Sequence, residues 1–411
     1  MPEAKHLFEK YYEELLRSAN DPNIAFGLSR SVSAFREGRN KGLEKYPHTI
    51  KLAEEVRQLK RDCLGRLGEL VQKASATLQD NGAHIYHAES ANDALSIIGE
   101  IIGSGKVVLS AKTLTGEEVG LRHYLEGLGN EFWETDIGQF IQQLREEKPI
   151  HYVGPSIHVI REEVAALLTK LLGTEIPPDI PTEVKTIREF LRGKYFKADF
   201  GISGCNVLAA DTGTLFLIEN EGNIRMVTNV PPAHIALVGI EKVVPTLDDA
   251  FKVAQVAWRY AGFSNPMYLN LINGPSATAD IEYTLVRGSS GPLELHVIFL
   301  DNGRSDLAKD PVLREALYCI KCGSCLLECP VYQLAAGYYG GHAYFGGVGA
   351  ILTAYIGGDF EEAAPIAYTC LRCGRCTEIC PQQIDLSQLM PELRHRIMQM
   401  ARSKDIKRRS A

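Results

Sequence analysis

An excess of basic residues is missing. The chain holds 44 Lys and Arg against 51 Asp and Glu, for a formal net charge of -7, which argues against a surface built to neutralise phosphates, so no nucleic-acid partner is expected. A secretory leader is not read either: the start, MPEAKHLFEKYYEELLRSAND, is an amphipathic mix of acids and bases without an apolar run, and the chain is expected to be cytoplasmic. Long hydrophobic runs are lacking. The longest uncharged stretch that could be weighed as a membrane span, Gly340 to Gly358, contains seven glycines and a histidine, too interrupted for a bilayer span and better read as a packed linker. No Walker-type loop and no G-x-G-x-x-G after a strand occurs, which lowers ATP and NAD as ligands. Cysteine is nearly absent from the first 300 residues, with only Cys63 and Cys205, so the chain is not a disulfide scaffold.

What is present starts with size: 411 residues, 45% hydrophobic and 23% charged, enough for more than one core. Residues 1–80 read as an N-terminal helical segment, because apolar residues recur every three or four positions in FEKYYEELL and KLAEEVRQLKRDCLGRLGELVQKA. A pair of helices capping a domain is expected there, with Cys63 as packing. Residues 81–300 alternate short apolar runs with helical stretches. GAHIYHA, KVVLSA, IHYVG, TLFLIEN, HIALVGI and LELHVIFL read as strands, and NDALSIIGEIIG, EEVGLRHYLEGLG, REEVAALLTKLL and TLDDAFKVAQVAWRYAG as helices. That alternation predicts an α/β domain with a largely parallel sheet. Residues 301–311, DNGRSDLAKDP, are a turn-rich linker, and 312–411 form a last domain.

That domain carries two copies of one pattern, C-x2-C-x2-C-x3-C-P: Cys319, Cys322, Cys325 and Cys329, then Cys370, Cys373, Cys376 and Cys380. Three closely spaced thiolates can cap one face of a cubane 4Fe-4S core, and in two-cluster ferredoxins the fourth reaches the other cluster. One cluster on Cys319, Cys322, Cys325 and Cys380 and a second on Cys370, Cys373, Cys376 and Cys329 are therefore expected. Zinc knuckles use two spaced pairs per ion and fit the pattern poorly. The 40 residues between the motifs should include a helix at GAILTAYI. Two adjoining clusters relay single electrons.

In the α/β domain, Lys112, Glu118, Glu134, Asp136, His158, Thr212, Thr214, Asn220, Glu221, Asn223, Arg225 and His234 fall near expected strand ends, where pockets form. A carboxylate beside a lysine or histidine suits acid–base chemistry, and the ADTGT turn could offer backbone amides to an anion; each residue could equally serve only its own turn. The last twenty residues hold seven Lys and Arg against two acids, a solvated end that also admits partner docking or peripheral attraction to the inner face of a membrane.

The run REALYCIKCGSCLLECPVYQLAAGYYGGHAYFGGVGAILTAYIGG resembles the ferredoxin region of the lactate utilization protein B family. SAKTLTGEEVGLRHYLEGLGNEFWETDIGQFIQQL, PSIHVIREEVAALL, ADFGISGCNVLAADTGTLFLIENEGN and PPAHIALVGIEKVVPT are similar to that family's lactate-utilization (LUD) domain. The resemblance implies an α/β LUD domain with the fold of CoA transferases and sugar-phosphate isomerases, followed by an α-helical ferredoxin domain with two 4Fe-4S clusters. It further implies an iron–sulfur subunit of a multisubunit oxidoreductase oxidising L-lactate to pyruvate, with a cysteine-rich subunit and a second LUD-type subunit as partners and a quinone or other carrier downstream. Two features depart from the family: only 31 residues follow Cys380, and SAKTLT stands where SKSM is usual. A relay for another dehydrogenase, or a stand-alone enzyme whose α/β domain binds a small carboxylate or phosphorylated ligand, is the alternative.

Overall fold

The computed structural model describes the backbone of residues 2–409 and the side chains of residues 6–403; the basic side chains Lys404, Lys407, Arg408 and Arg409 of the tail lie outside the described residues. The N-terminal segment is four helices rather than two: α1 (Pro2–Ala19), α2 (Pro22–Lys45), α3 (His48–Gly65) and α4 (Leu67–Asp80). Asp21 and Pro22 explain the break between the first two. The Asp21 carboxylate accepts from the Asn23 and Ile24 amides, and proline is tolerated in a first helical turn. Cys63 is buried among Ala53, Val56 and Leu67, as packing.

The strands that follow are β1 (His84–Ala88), β2 (Val107–Ser110), β3 (Glu131–Glu134), β4 (Phe200–Ser203), β5 (Val207–Ala209), β6 (Thr214–Glu219), β7 (Ala233–Gly239), β8 (Val243–Val244), β9 (Tyr268–Ile272), β10 (Ala277–Thr278), β11 (Val286–Arg287) and β12 (Glu294–Leu300). Six form one parallel sheet in the order β1-β12-β7-β4-β2-β3. Both faces of such a sheet are covered, so central strands read as continuous apolar runs. All seven residues of β7 are buried. A second sheet, β8-β5-β6-β9, is mixed, with β5–β6 and β6–β9 antiparallel.

Several expectations change here. His151 to Gly154, in the run read as a strand, lie in an irregular segment: the His151 ring stacks on Phe35 at 5.3 Å and the Tyr152 ring on Phe345 at 5.0 Å, so these apolar residues fill an interdomain seam instead of a sheet. β3 and β4, four residues each, were not expected. The helix expected at EEVGLRHYLEGLG is two short ones, broken at Gly120, whose φ is 68°.

The presumed linker is structured. A short helix, Arg304–Lys309, follows β12, and the Arg304 side chain is fully buried. Its guanidinium meets Glu118 Oε1 at 2.9 Å and Oε2 at 2.7 Å, Glu241 Oε2 at 2.5 Å, and the Tyr344 hydroxyl at 3.3 Å. Glu118 lies beyond β2, Glu241 beyond β7 and Tyr344 in the last domain, so one cation ties two strand-end loops to that domain. Burial alone would push both carboxyls up; the guanidinium outweighs it and holds them low, Glu241 at about 2.

The last domain is helical. Gly340 to Gly358 contains the helix Gly346–Tyr355, largely buried in that domain's core, and among the described residues no helix is long and apolar enough to cross a membrane. The first helices brace it. The Ser18 hydroxyl donates to Ala335 O at 3.0 Å, and Arg36 and Arg39 of α2 both reach the Glu328 carboxylate, at 2.8 Å and 3.0 Å.

Candidate functional site

The two cysteine motifs fold alike. Ahead of each second cysteine stands a basic residue at positive φ, Lys321 at 58° and Arg372 at 55°, and after it a glycine, Gly323 at 79° and Gly374 at 78°. Such backbone is cheap only for glycine, so Lys321 and Arg372 hold a strained conformation that the loop imposes. The third cysteine of each motif rides a five-residue helix, Ser324–Glu328 or Arg375–Ile379. The fourth, Cys329 or Cys380, is extended and is followed by proline.

The motifs interleave. Cys329 lines one pocket together with Cys370, Cys373 and Cys376, and Cys325 of the first motif reaches its wall. Burial pushes the Cys329 thiol up to about 11, with Cys370 and Cys373 adding to it, and the Cys376 thiol to about 12, with Cys329 adding. On the other side burial raises Cys322 to about 12 with Cys319 and Cys380 as the neighbours that add, and Cys380 to about 11 with Cys319 adding. Thiols held protonated by burial become thiolates only against a compensating cation, which a metal cluster supplies. Among the described residues no three His, Cys, Asp or Glu close on a single ion.

The second site lies at the carboxyl ends of the parallel strands, where such sheets place ligands. A solvent-open cleft of about 350 Å³ is lined by the loops after β2, β4 and β6, by Tyr152 and Trp258, and by Ile320, Lys321 and Cys322 of the first motif. It therefore runs from the α/β domain to a cysteine of the first set. Of the residues read from sequence, Lys112, Asp136, Asn220, Glu221 and Asn223 line it. Lys112 Nζ donates to Asp136 Oδ2 at 3.2 Å and to Val153 O at 2.8 Å. Asp136 also caps the helix Ile137–Arg145. Burial, then the Asp136 charge, pushes Glu221 up to about 7 although it accepts the Ile137 amide at 3.1 Å. Asn220 accepts from the Met267 amide and Asn223 donates to the Thr135 hydroxyl.

The others stand elsewhere. Glu134 faces a separate cavity with Ser110, Glu117 and Gln139. Glu118 belongs to the Arg304 network. His158 is buried 3.7 Å from Glu147. Thr212 and Thr214 bond each other at 2.8 Å in the β5–β6 turn, and a Cβ at Gly213 would lie 3.0 Å from the Leu78 side chain, so the ADTGT turn packs on α4 instead of cradling an anion. Arg225 pairs with Glu219 and lies 3.7 Å over the Tyr268 ring. His234 is the second residue of β7, at its amino end; its Nε2 is 2.7 Å from the Ser203 hydroxyl, and burial drives it down to about 3, leaving it neutral.

Sequence reading missed Ser203, Glu219, Lys242, Trp258 and Lys321, all of which line the cleft. The strand-end rule applied to β7 would have found Lys242. Lys321 was hidden by attention to the cysteines around it, and Trp258 sits in an amphipathic helix with no local signal.

Residues 71–300 match the family model of the LUD domain, and residues 315–384 that of a 4Fe-4S dicluster domain. The chain is 31% identical to the uncharacterized electron transport protein YkgF of Escherichia coli (strain K12) over 379 residues, 92% of this chain and 77% of that one. It is 33% identical to lactate utilization protein B of Bacillus thuringiensis (strain Al Hakam) over 347 residues, 84% of this chain and 70% of that one. A solved DUF162 family protein from Deinococcus radiodurans aligns with 57% of this chain and 98% of its own, at 16% identity and a TM-score of 0.30.

Proposed function

We propose, from the premise that this chain belongs to the LUD-domain family and carries two 4Fe-4S clusters, that it is the electron-transfer subunit of a multisubunit oxidoreductase in lactate utilization. Its role there is to receive electrons released as L-lactate becomes pyruvate. The observation that carries the reading is the interleaving: Cys325 of the first motif stands at the wall of the cavity lined by Cys329, Cys370, Cys373 and Cys376, so two cluster sites adjoin. Each cluster supplies one-electron storage when bound.

The protein's own residues hold and insulate. Cys319, Cys322, Cys325 and Cys380 would hold one cluster and Cys370, Cys373, Cys376 and Cys329 the other. Tyr332 and Tyr339, both buried in the same core, exclude water beside them. The names of relatives, an electron transport protein and lactate utilization protein B, support the pathway. A cysteine-rich subunit and a second LUD-type subunit are the proposed partners, a quinone or another carrier the acceptor, and the cytoplasm, with peripheral contact at the membrane, the location. We take residues 81–300 and 312–411 as the two functional domains.

The test is to supply L-lactate and a dye acceptor to the cluster-loaded chain alone, then with the partner subunits. Dye reduction is expected only with partners. Turnover by the chain alone would sink the relay reading in favour of a stand-alone enzyme.

A further inference from the structure

The cleft that ends at Cys322 has features a relay alone does not require. Its lining holds three lysines, Lys112, Lys242 and Lys321, and three acids, Asp136, Glu219 and Glu221. Glu241 sits among Arg304, Lys242, Lys321 and Lys60, and its carboxylate is already engaged by Arg304. Of the lysines lining the cleft, Lys242 Nζ donates to the Thr115 hydroxyl at 3.1 Å, and Lys321 Nζ lies 4.7 Å over the Tyr344 ring. Neither has an ion-pair partner within reach among the described residues, whereas Lys112 has Asp136. Two lysines of this kind in one cleft favour an anionic group.

The cleft also has an aromatic lining, with Phe35, Phe263 and Trp258. Phe35 and Phe263 meet edge to face at 6.3 Å. Trp258, only 8% exposed, lines the same cleft, and its indole N–H has no hydrogen-bond partner. Buried donors are nearly always paired, so one that is not, in a cavity wall, points to an acceptor on a ligand. At about 350 Å³ the cleft falls within the usual range for small-ligand pockets, roughly 300–1,000 Å³.

We propose that this cleft binds a planar, redox-active organic carrier bearing an anionic group, with the anion at Lys242 and Lys321 and the ring against Trp258 and Phe263. The redox requirement comes from place: Cys322 is part of the wall, and a molecule beside a cluster ligand exchanges electrons with the cluster only if it is itself a carrier. That choice of ligand class rests on the electron-transfer reading; the existence of the site does not. Two sources share the chemistry, a flavin with its phosphate and a quinone with an acidic substituent.

The experiment is anaerobic equilibrium dialysis of the full, cluster-loaded chain against flavin mononucleotide, 1,4-naphthoquinone-2-sulfonate and L-lactate in separate arms. One ring probe is expected to be retained at one per chain, with retention unchanged by excess lactate. Lys321→Met and Lys242→Met should each weaken it tenfold or more while leaving the iron and sulfide content intact, and Trp258→Phe should weaken it less. Should Lys321→Met lose iron, Lys242→Met alone carries the reading. Flavin retention identifies the first source, naphthoquinone retention the second. The proposal is overturned if neither ring probe is retained, if lactate displaces the one that is, or if iron-replete Lys242→Met binds as tightly as the parent. None of these results bears on whether the chain alone oxidises lactate, so this site and the relay reading fail separately.

Discussion

Replacing Arg304 with methionine removes one cation from a site where everything around it is out of water. Arg304 and Glu118 side chains have no exposed surface and Glu241 has 3%. Breaking a buried pair leaves its partner as an uncompensated charge, which costs about 3–5 kcal/mol, and here Glu118 is stranded while Glu241 keeps Lys242, Lys321 and Lys60 nearby. For a domain of some 230 residues, the span of the LUD match, roughly 2–4 °C per kcal/mol turns that into a midpoint lower by about 6–20 °C. The pH dependence is the sharper readout. In the parent, the folded state holds Glu118 and Glu241 below the ordinary carboxylate range, so the stabilisation is full above about pH 4.5 and is lost as pH falls toward 2. In Arg304→Met, burial dominates at Glu118 and its carboxyl moves up, so the gap between variant and parent should shrink as pH is lowered. Thermal unfolding of the anaerobic proteins between pH 8 and 4, followed by circular dichroism, measures both. A loss under 1 kcal/mol, or a gap that widens toward acid, would show that the network is not the electrostatic tie described. The double variant Arg304→Met, Glu118→Gln should recover part of the loss at pH 8, because Glu118 then carries no stranded charge.

Three further outcomes are expected. Anaerobic reconstitution should load about eight iron and eight sulfide per chain, as two 4Fe-4S clusters require, and a count near four would mean that one set of cysteines stays empty. Cys329→Ser should perturb the cluster held by Cys370, Cys373 and Cys376, and Cys380→Ser the one held by Cys319, Cys322 and Cys325; electron paramagnetic resonance at potentials that reduce one cluster at a time would refute this if each change altered its own motif's cluster. Glu328→Gln should loosen α2 from the last domain by about 1–3 kcal/mol, since it weakens charge-assisted bonds to Arg36 and Arg39, visible as faster hydrogen exchange at Ser29–Lys45 with iron content unchanged.

The alternation of strands and helices was legible because parallel strands buried on both faces leave uninterrupted apolar text, as in β7 and β12. The cysteine spacing was legible because ligand geometry is local. β3 and β4 were not, since four residues flanked by polar ones give no period, and His151 to Gly154 misled because an apolar run says that residues are buried but not against what. The strand-end rule found Lys112, Asp136 and Glu221. It failed at Thr212, Thr214 and Arg225 because the second, mixed sheet breaks the alternation and sends its turn toward α4. Lys321 and Trp258 meet the others only through domain packing, which no window of sequence contains.

The place of β12 orders the making of the molecule. It is the last strand in the chain, yet it pairs with both β1 and β7. Until Leu300 has left the ribosome, the nascent sheet carries a gap between its first strand and the rest, with two open edges waiting for one segment. Four residues later comes Arg304, the tie to everything downstream. The strand that completes the first domain thus delivers, four residues on, the anchor for the second. Removing residues after Asn302 should therefore yield a sheet that closes with Glu118 unmatched, while stopping synthesis before Glu294 should yield a product that pairs with other copies of itself.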